Sequence, residues 1–237
     1  MANNYFKFKQ FTIIQNKAAM KVGTDGVLLG AWASCSEAKL ALDIGCGTGL
    51  IALMLAQRSN ANIDAIDIEE KATVEARINA EASIWTNRVN VIQTSIQDFS
   101  IKSNKKYDLI VSNPPFFENS LKAESSERST ARHTDTLATS DLFLAAKKLL
   151  AAHGKFSVII PVDNLEPYLE ISNSYGFFCK RMLWVKPTPT KLAKRVLIEF
   201  SFDKHELRED VLVLEKYGRH KYSEEYIELT KEFYLNF

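Results

Sequence analysis

A short run of polar and rigid residues in the middle of the chain combines the side chains best suited to chemistry. It consists of Asn113, Pro114, Pro115 and Phe116, and it follows the apolar run 107–111. The amine of a base or an amide is a poor nucleophile because its lone pair is delocalised. The side-chain oxygen of Asn113 and the carbonyl of Pro114 could accept both amine hydrogens and draw the nitrogen towards sp³ geometry. Each proline fixes φ and removes a competing donor, so the two acceptor oxygens keep a fixed orientation towards the amine. These four residues are the candidate catalytic residues for transfer of a group to a planar amine.

Phe116 is also a candidate substrate-binding residue, because its ring offers a face on which an unstacked base could lie. Such stacking is worth roughly 1–3 kcal/mol per base in single-strand binders. The alternative is that Phe116 or Phe117 fills the core below the strand end, and we assign stacking to Phe116 and packing to Phe117. No general base is required, because the nitrogen becomes acidic once it carries the new group. The histidines are dispersed and show no metal-ligand spacing, so the sequence predicts no metal site.

A glycine-rich turn upstream, at 43–49, predicts a nucleotide-like ligand. Gly45, Gly47 and Gly49 lie where a strand pattern changes to a helical one. Glycines can adopt positive φ there, and they let a ligand approach the backbone amides at the start of the helix. Asp43, at the strand end, would bind the amino group of a methionine moiety directly or through water.

Two further acids lie at or after the ends of the next predicted strands. Asp67 ends the second strand, at about the offset from the glycine turn at which a carboxylate reaches ribose hydroxyls. Asp98 is placed to accept a hydrogen bond from the adenine amino group, with Ile68 and Phe99 as flanking apolar surface. Helix capping is the alternative role for each acid taken singly. Their occurrence together with the glycines favours a cofactor site.

The spacing of the glycines separates two classes of cofactor. A nicotinamide dehydrogenase carries Gly-x-Gly-x-x-Gly, whereas the turn here reads Gly-x-Gly-x-Gly. A dehydrogenase would also have no use for Asn113 and the prolines that follow it. We therefore expect S-adenosylmethionine, whose sulfonium carries a transferable methyl group, as the cofactor.

These motifs need a framework that brings strand ends together. From residue 40 onward, short apolar runs alternate with helical patterns, which is typical of a parallel sheet with crossover helices. The predicted strands lie at 40–44, 63–67, 89–93, 107–111 and 154–160, and the predicted helices at 48–57, 70–83, 139–150 and 163–175. The runs 178–185 and 195–202 have no long helix between them and should pair antiparallel. The expected fold class is α/β, with a seven-stranded, mostly parallel sheet, an antiparallel last strand and helices on both faces.

Smaller elements are expected at the two ends of the chain. Residues 5–15 alternate enough for a short hairpin, and Thr24 or Asp25 can cap a helix that runs to Ala33. Ser223 can cap a terminal helix with an aromatic stripe, which we interpret as packing. The stripe consists of Tyr222, Tyr226, Phe233 and Phe237.

Composition agrees with one domain in a reducing compartment. At 237 residues with 46% hydrophobic content, the chain can bury one sizeable core. We expect a single domain with an N-terminal extension at 1–38 that closes the cofactor pocket, a core at 39–202 and a helical tail at 203–237. The 3 scattered cysteines fit no zinc site or disulfide framework. No segment approaches the roughly 20 apolar residues of a membrane helix, so we expect a cytoplasmic protein without membrane contact.

The 30 basic and 29 acidic residues nearly balance, so any contact with RNA must depend on local clusters. One cluster, Lys191, Lys194 and Arg195, could track a phosphate backbone, although a solvated charged face is the alternative. Other late basic residues extend it: Lys180, Arg181, Lys186, Arg208, Lys216, Arg219 and Lys221. The polar segment 118–136, which follows the catalytic run, is either a lid over the substrate or a disordered connection.

Across its whole length the chain resembles the bacterial tRNA adenine-N6 methyltransferases that modify the adenosine 3′ of the anticodon in valine tRNA. The resemblance rests on the glycine turn and the catalytic run, on an N-terminal motif at 21–32, and on segments 131–137 and 233–237, which generic Rossmann methyltransferases lack. It implies a Rossmann-like class I methyltransferase that uses S-adenosylmethionine to methylate N6 of adenine 37 in the tRNA anticodon loop. We expect a monomer or weak dimer. The resemblance further implies that Lys21, Thr24 and Asp25 are cofactor neighbours and that Arg132 contacts the substrate.

Other functions share parts of this pattern. The same catalytic run serves ribosomal RNA guanine-N2 methyltransferases and enzymes that methylate a glutamine side chain (N5) in release factors. Those relatives usually carry an additional domain, for which this chain has little room. A cofactor-sensing or RNA-binding protein without turnover is the non-catalytic alternative, and the intact run that begins at Asn113 argues against it. Affinity that falls steeply with salt would distinguish an RNA substrate from a protein substrate.

Overall fold

The computed structural model describes residues 4–16, 21–115 and 137–237. In chain order the strands are β1 (Tyr5–Lys7), β2 (Thr12–Ile14), β3 (Leu40–Ile44), β4 (Asn62–Asp67), β5 (Val89–Gln93), β6 (Tyr107–Ser112), β7 (Leu150–Pro161), β8 (Phe178–Lys186), β9 (Arg195–Ser201) and β10 (Arg208–Val213). The helices are α1 (Thr24–Trp32), α2 (Leu50–Arg58), α3 (Glu70–Glu81), α4 (Ile96–Lys102), α5 (Thr139–Leu149), α6 (Leu165–Ser174) and α7 (Glu224–Thr230), with a short 3₁₀ helix at Val162–Asn164.

Eight of the described strands form one sheet in the order β10-β8-β9-β7-β6-β3-β4-β5. Within it, β9 runs antiparallel to both of its neighbours and the other described pairs are parallel. The mostly parallel α/β fold and the antiparallel pairing of the two late strands are confirmed. The described part of the sheet has eight strands rather than the expected seven, because β10, in a segment expected to be helical, pairs with β8 as an additional outer strand. Leu212 is the buried apolar side chain in β10, so this strand lacks a regular apolar alternation in the sequence.

The central strands are nearly continuous apolar runs because helices cover the sheet on both faces. Ala41 and Leu42 are adjacent in β3, yet they belong to different core clusters, since successive side chains of a strand point to opposite faces. One cluster includes residues of α1, α2 and the N-terminal hairpin. The other is rich in phenylalanine and includes residues of α5. The core is thus built from both faces of the same strands.

Two helix starts differ from the sequence expectations. Gly23 is the N-cap of α1 and offers no side-chain cap, so neither Thr24 nor Asp25 caps this helix. Helix α4 was not expected. It begins after Ser95, whose Oγ accepts a hydrogen bond from the Asp98 amide at 3.1 Å. The expected cap of the terminal helix is confirmed, because Ser223 Oγ accepts from the Tyr226 amide at 3.0 Å.

The aromatic stripe at the C-terminal end is packing, as expected. Rings of Tyr222, Tyr226 and Phe237 lie 5.1–5.9 Å apart between centroids. The same segment contacts the confirmed β1–β2 hairpin, since Lys9 Nζ donates to the Phe237 carbonyl oxygen at 2.8 Å and the Lys9 amide donates to the Phe233 carbonyl. The two ends of the chain therefore stabilise each other beside α1 and α2.

Parallel strands place their carboxyl ends at one edge of the sheet, and the candidate site residues lie at or just beyond these ends. Strands β3, β4 and β6 end at Ile44, Asp67 and Ser112. The described helices include none that is both long and apolar enough to cross a membrane. Within the same residues, no group of three metal-binding side chains comes together.

Candidate active site

The glycine turn joins β3 to α2 and has the backbone conformation that only glycine adopts without strain. Gly45, Gly47 and Gly49 have φ of 72°, 53° and 81°. A Cβ added at Gly45 or Gly47 would meet no atom of the described residues within 4 Å. At Gly49 the added Cβ would lie 3.3 Å from the Ala76 Cβ, so that glycine serves close packing. The turn therefore leaves room for a ligand beside Gly45 and Gly47, while the amides of these two residues already donate to the Ile66 carbonyl and to Asp67 Oδ2.

Asp43 is a fully buried acid with an unused acceptor. Its Oδ2 accepts a hydrogen bond from the Ala52 amide at 3.1 Å. Its Oδ1 is buried and has no hydrogen-bond partner among the described residues. Burial raises the pKa of Asp43 to about 7, the Ala52 amide opposes this rise, and the negative charge of Asp67 adds to it. A buried oxygen without a donor is costly, so the site fits a ligand that brings a donor, such as an ammonium group.

Asp67 fixes the glycine turn from the neighbouring strand. Its Oδ2 accepts from the Gly47 amide at 2.9 Å, and its Oδ1 accepts from the Glu69 amide at 2.9 Å. Each carboxylate oxygen keeps a further acceptor position for a ligand hydroxyl. Ile68, the next residue, is 62% exposed, so its apolar side chain lies uncovered beside this carboxylate. Both features agree with the predicted ribose and adenine contacts.

Asp98 and Phe99 lie in the first turn of α4, directly after β5. The Asp98 side chain is exposed while its amide is bound by Ser95. Phe99 is partly buried and packs against the core, with its ring centroid 6.4 Å from that of Tyr107. The structure thus leaves Asp98 accessible at the edge of the sheet and gives Phe99 a packing role in addition to any contact with a ligand.

Asn113 lies next to the glycine turn in space. Ser112 pairs with Ile44 in the register of β6 and β3, and its Oγ donates to the Ile44 carbonyl at 2.9 Å. The residues that follow, Asn113 and Gly45, therefore start about one strand spacing apart, ~4.8 Å. Asn113 Oδ1 is buried and has no hydrogen-bond donor in the described parts of the chain. Two neighbouring strand ends thus each present an acceptor that no described donor reaches, one from an acid and one from an amide.

The rest of the catalytic run is only partly described. Pro114 is buried and Pro115 is exposed. Phe116 lies outside the described residues, as do Arg132 and the segment 118–136.

The N-terminal residues implied by the resemblance lie at or near the start of α1. Lys21 and Thr24 are exposed, and Asp25 is half-buried. Asp25 Oδ2 accepts from Arg195 Nε at 2.8 Å. A residue expected beside the cofactor and a residue expected to bind RNA are thus ion-paired with each other, which links α1 to the start of β9.

The late basic residues do not form one surface. Strand β8 ends at Lys186 and β9 begins at Arg195, so the loop that carries Lys191 and Lys194 lies at the same edge of the sheet as Asn113. Lys191 and Lys194 are exposed. Lys180, Arg181 and Arg208 lie near the starts of β8 and β10, towards the opposite edge. The extended basic cluster suggested by the sequence is therefore divided between two edges.

Arg181 is a structural residue rather than part of a basic surface. Its Nη2 donates to Ser34 Oγ at 2.8 Å, to the Trp32 carbonyl at 2.9 Å and to Glu199 Oε2 at 3.1 Å. Its guanidinium carbon lies 3.7 Å from the centroid of the Trp32 ring. These contacts fasten the end of α1 to the sheet.

Sequence reasoning missed Asn79, a buried residue of α3 that supports the glycine turn. Its Nδ2 donates to the Thr48 carbonyl at 2.9 Å and to the Ile14 carbonyl at 3.0 Å. Its Oδ1 accepts from the Ile14 amide at 2.8 Å. The turn is therefore tied to the N-terminal hairpin through one side chain. The detectable signal is an asparagine in helical phase with the buried Ala72 and Ala76.

Comparison with known proteins places this site in a class. The model of the Methyltransferase small domain family matches residues 18–170. A predicted O-methyltransferase from Agrobacterium tumefaciens superposes with a TM-score of 0.70 at 17% identity, over 88% of this chain and 96% of that one. A precorrin methyltransferase from Geobacter metallireducens gives a TM-score of 0.54 at 14% identity, over 79% and 93%. At such low sequence identities, the similarity shows only that the fold is shared. The chain is a Rossmann-like methyltransferase, and the predicted cofactor, S-adenosylmethionine, is that of this class.

Relatives that match the chain over its full length identify one family within this class. A tRNA1(Val) (adenine(37)-N6)-methyltransferase from Trichodesmium erythraeum is 50% identical over 100% of both chains. Proteins of the same name from Phocaeicola vulgatus and Bacteroides fragilis (strain YCH46) are 50% and 48% identical over at least 99% of both chains. The chain belongs to the family of tRNA1(Val) (adenine(37)-N6)-methyltransferases. The family suggested by the sequence motifs is thereby confirmed.

Proposed function

We propose that this protein transfers a methyl group from S-adenosylmethionine to the N6 amine of adenine 37 in the anticodon loop of a valine tRNA. The observation that carries the proposal is the buried Oδ1 of Asn113, which lies one strand away from the glycine turn and has no donor among the described residues. The names of the full-length relatives supply the base and its position. The proposal assigns the reaction to a single domain, 1–237, that acts in the cytoplasm as a monomer or weak dimer.

The cofactor half of the site consists of acceptors that match a nucleoside joined to an amino acid. When bound, S-adenosylmethionine supplies a methyl group on a positively charged sulfonium. Asp43 Oδ1, which has no donor among the described residues, would accept from the ammonium group. Asp67, which already holds the Gly47 amide, would accept from the ribose hydroxyls with its remaining lone pairs. Asp98 would accept from the adenine amine, beside the exposed Ile68.

The acceptor half of the site begins at the end of β6. Asn113 Oδ1 and the Pro114 carbonyl would accept the two hydrogens of the adenine amine and favour the pyramidal nitrogen that attacks. In a buried site such acceptors are stronger than in water, because water does not compete for the same donor. Phe116 would stack on the everted base. The product nitrogen loses its proton readily, so no side chain is required as a base.

The substrate surface follows from the edge of the sheet at which this site lies. Lys191 and Lys194 are exposed at that edge and would contact phosphates of the tRNA. Arg195 would act mainly through its ion pair with Asp25, which holds the base of the loop. Arg132 and Lys21 stay proposed contacts with the substrate and the cofactor, respectively, as does Thr24 with the cofactor. An anticodon loop suits such a site because its bases unstack at low cost.

The proposal is tested by incubating the protein with labelled S-adenosylmethionine and total tRNA and mapping the modified nucleoside by mass spectrometry. We expect N6-methyladenosine at position 37 of valine tRNA. Methylation of guanine, or of a release-factor glutamine in a parallel incubation but not of tRNA, would contradict the proposal.

The role of Asn113 is tested with Asn113→Ala. We expect kcat to fall on the order of 10²- to 10³-fold, as for loss of one preorganised hydrogen-bonding group in an active site. The cofactor dissociation constant, measured by calorimetry, should stay within about twofold, because the glycine turn and the three acids are untouched. Asn173→Ala, an exposed asparagine in the last turn of α6, is the matched control and should keep full activity. A parallel loss of cofactor binding in Asn113→Ala would assign that residue a structural role instead.

A further inference from the structure

Leu192 is an exposed apolar residue in an unusual setting. It is 83% exposed, the highest value among the large hydrophobic residues in the described ranges. It lies in the loop 187–194 between β8 and β9, which we call the edge loop. Lys191 precedes it, Lys194 follows two positions later, and both lysines are exposed. A single leucine between two cations is too small a patch for a protein interface, which needs a larger apolar centre.

The edge loop is held by hydrogen bonds at its start, middle and end. Lys186 Nζ donates to the Pro189 carbonyl at 2.8 Å, and the Lys191 amide donates to the Thr188 carbonyl at 3.2 Å. At its end the Lys194 amide donates to the Val185 carbonyl at 2.9 Å. A loop ordered before binding loses little conformational entropy when it contacts a partner. The exposure of Leu192 is therefore a feature of a defined loop.

Two neighbouring parts of the chain support the base of the edge loop. The ion pair between Arg195 and Asp25 joins its C-terminal end to α1. On the other side, the Glu215 amide donates to the Pro187 carbonyl at 3.0 Å. The loop is thus braced on both sides and projects from the sheet with Leu192 uncovered.

The edge loop lies on the same side of the sheet as the candidate active site. Strand β9 pairs with β7, and β7 pairs with β6, which ends one residue before Asn113. Two strand spacings separate β9 from β6, about 10 Å. A nucleic acid whose base reaches Asn113 would therefore have its adjacent nucleotides within reach of the edge loop.

We propose that Leu192 is an RNA-binding residue, which packs its side chain against or between bases of the tRNA near the modified adenosine while Lys191 and Lys194 contact phosphates. Apolar side chains that insert at base steps, flanked by cations that bind the backbone, are a recurrent way to hold a distorted nucleic acid. This inference depends on the proposed function, since it names a further residue of the substrate site. It adds an apolar contact to a surface for which the sequence suggested only contacts between basic side chains and phosphates.

The test compares Leu192→Ala with wild type in tRNA binding measured by fluorescence anisotropy, over a series of salt concentrations. Loss of the leucine side chain, which the bound tRNA would bury, should raise the tRNA dissociation constant roughly 5- to 30-fold. The slope of log affinity against log salt should stay as in wild type, because no phosphate contact is removed. The double variant Lys191→Ala/Lys194→Ala should instead reduce that slope by about two. Cofactor affinity should be unchanged in both variants.

The matched control is Ile84→Ala. Ile84 is 78% exposed and follows α3, which runs back from the carboxyl edge, so it lies towards the opposite edge of the sheet. Its substitution should leave tRNA affinity at the wild-type value. An unchanged dissociation constant for Leu192→Ala, or an equal loss for Ile84→Ala, would overturn the inference. Wild-type protein that methylates no tRNA would overturn the proposed function itself, which is a separate outcome.

Discussion

Replacement of the Asp43 carboxyl by an amide should remove a pH dependence from the stability of this protein. The side chain is fully buried, and only one of its oxygens has a hydrogen-bond donor among the described residues. Burial raises its pKa from 3.8 to about 7, with the Ala52 amide opposing the rise and the charge of Asp67 adding to it. The folded protein therefore retains a proton on Asp43 over a pH range in which the unfolded chain has lost it.

The sign and size of the effect follow from this difference in pKa. Between pH 4 and pH 7 the folded state binds more protons at Asp43 than the unfolded state does, so stability falls as pH rises through this window. The contribution of Asp43 to the free energy of unfolding is fully present below the pKa that Asp43 has in the unfolded chain, and it is lost near pH 7. A rise of about three pKa units corresponds to a free energy of about 4 kcal/mol. The side chain in Asp43→Asn stays neutral at every pH, so the stability of this variant lacks the pH-dependent contribution of residue 43.

The assay is urea unfolding of wild type and Asp43→Asn at pH 5, 6, 7 and 8, without cofactor. We expect the free energy of unfolding of wild type, relative to the variant, to decrease from pH 5 to pH 7 and to level off above it. Asp64→Asn is the control. Burial opposes ionisation of Asp64, but hydrogen bonds from Lys105, Tyr107 and Asn90 hold its pKa below the usual value. The contribution of Asp64 to stability is therefore complete above about pH 5. The difference in free energy of unfolding between Asp64→Asn and wild type should then be constant from pH 5 to pH 8. A constant difference for Asp43→Asn as well would refute the reasoning.

Three further predictions concern the cofactor site and its support. Asp67→Ala should raise the cofactor dissociation constant by roughly 10-fold or more, because it removes an acceptor and frees the Gly47 amide; calorimetry that finds no change would remove Asp67 from the ribose role. Gly47→Ala should cost about 1–2 kcal/mol of strain and weaken cofactor binding, whereas Gly176→Ala, also at positive φ with open space, should cost stability alone. Arg181→Met should reduce the free energy of unfolding by about 3–5 kcal/mol because Glu199 is left buried without its cation. Arg181→Met/Glu199→Gln should recover much of this loss in urea unfolding, and no recovery would mean that the packing on Trp32 dominates.

Much of the sheet and of the cofactor site could be predicted from local sequence. Strands β3 and β5 have the predicted limits, because parallel strands covered on both faces are short apolar runs bounded by turn residues. The positive φ of the glycine turn follows from residue type alone. The positions of Asn113 and of the three acids, each at or just beyond the end of a strand, were likewise sufficient to place them at one edge of a parallel sheet.

Other features required the tertiary structure because they depend on residues distant in sequence. Helix α4 is short and β10 is polar, so neither has the periodic apolar pattern that marks an element; β10 exists because β8 offers an edge with which it can pair. The ion pair between Asp25 and Arg195 joins residues 170 positions apart, so it could not be predicted from local sequence. Arg181 resembles any surface cation in the sequence until the fold brings Glu199 and Trp32 around it.

The sequence by itself determined which residues could do chemistry, because backbone freedom, hydrogen-bonding capacity and strand periodicity are properties of residue type and short spacing. The tertiary structure decided which of those groups are available, because availability depends on what the folded chain places next to each group. Asp43 Oδ1 and Asn113 Oδ1 are left without described donors, whereas the guanidinium of Arg195 is engaged by Asp25. Only three-dimensional packing distinguishes a polar group that is available to a ligand from one that already has a partner.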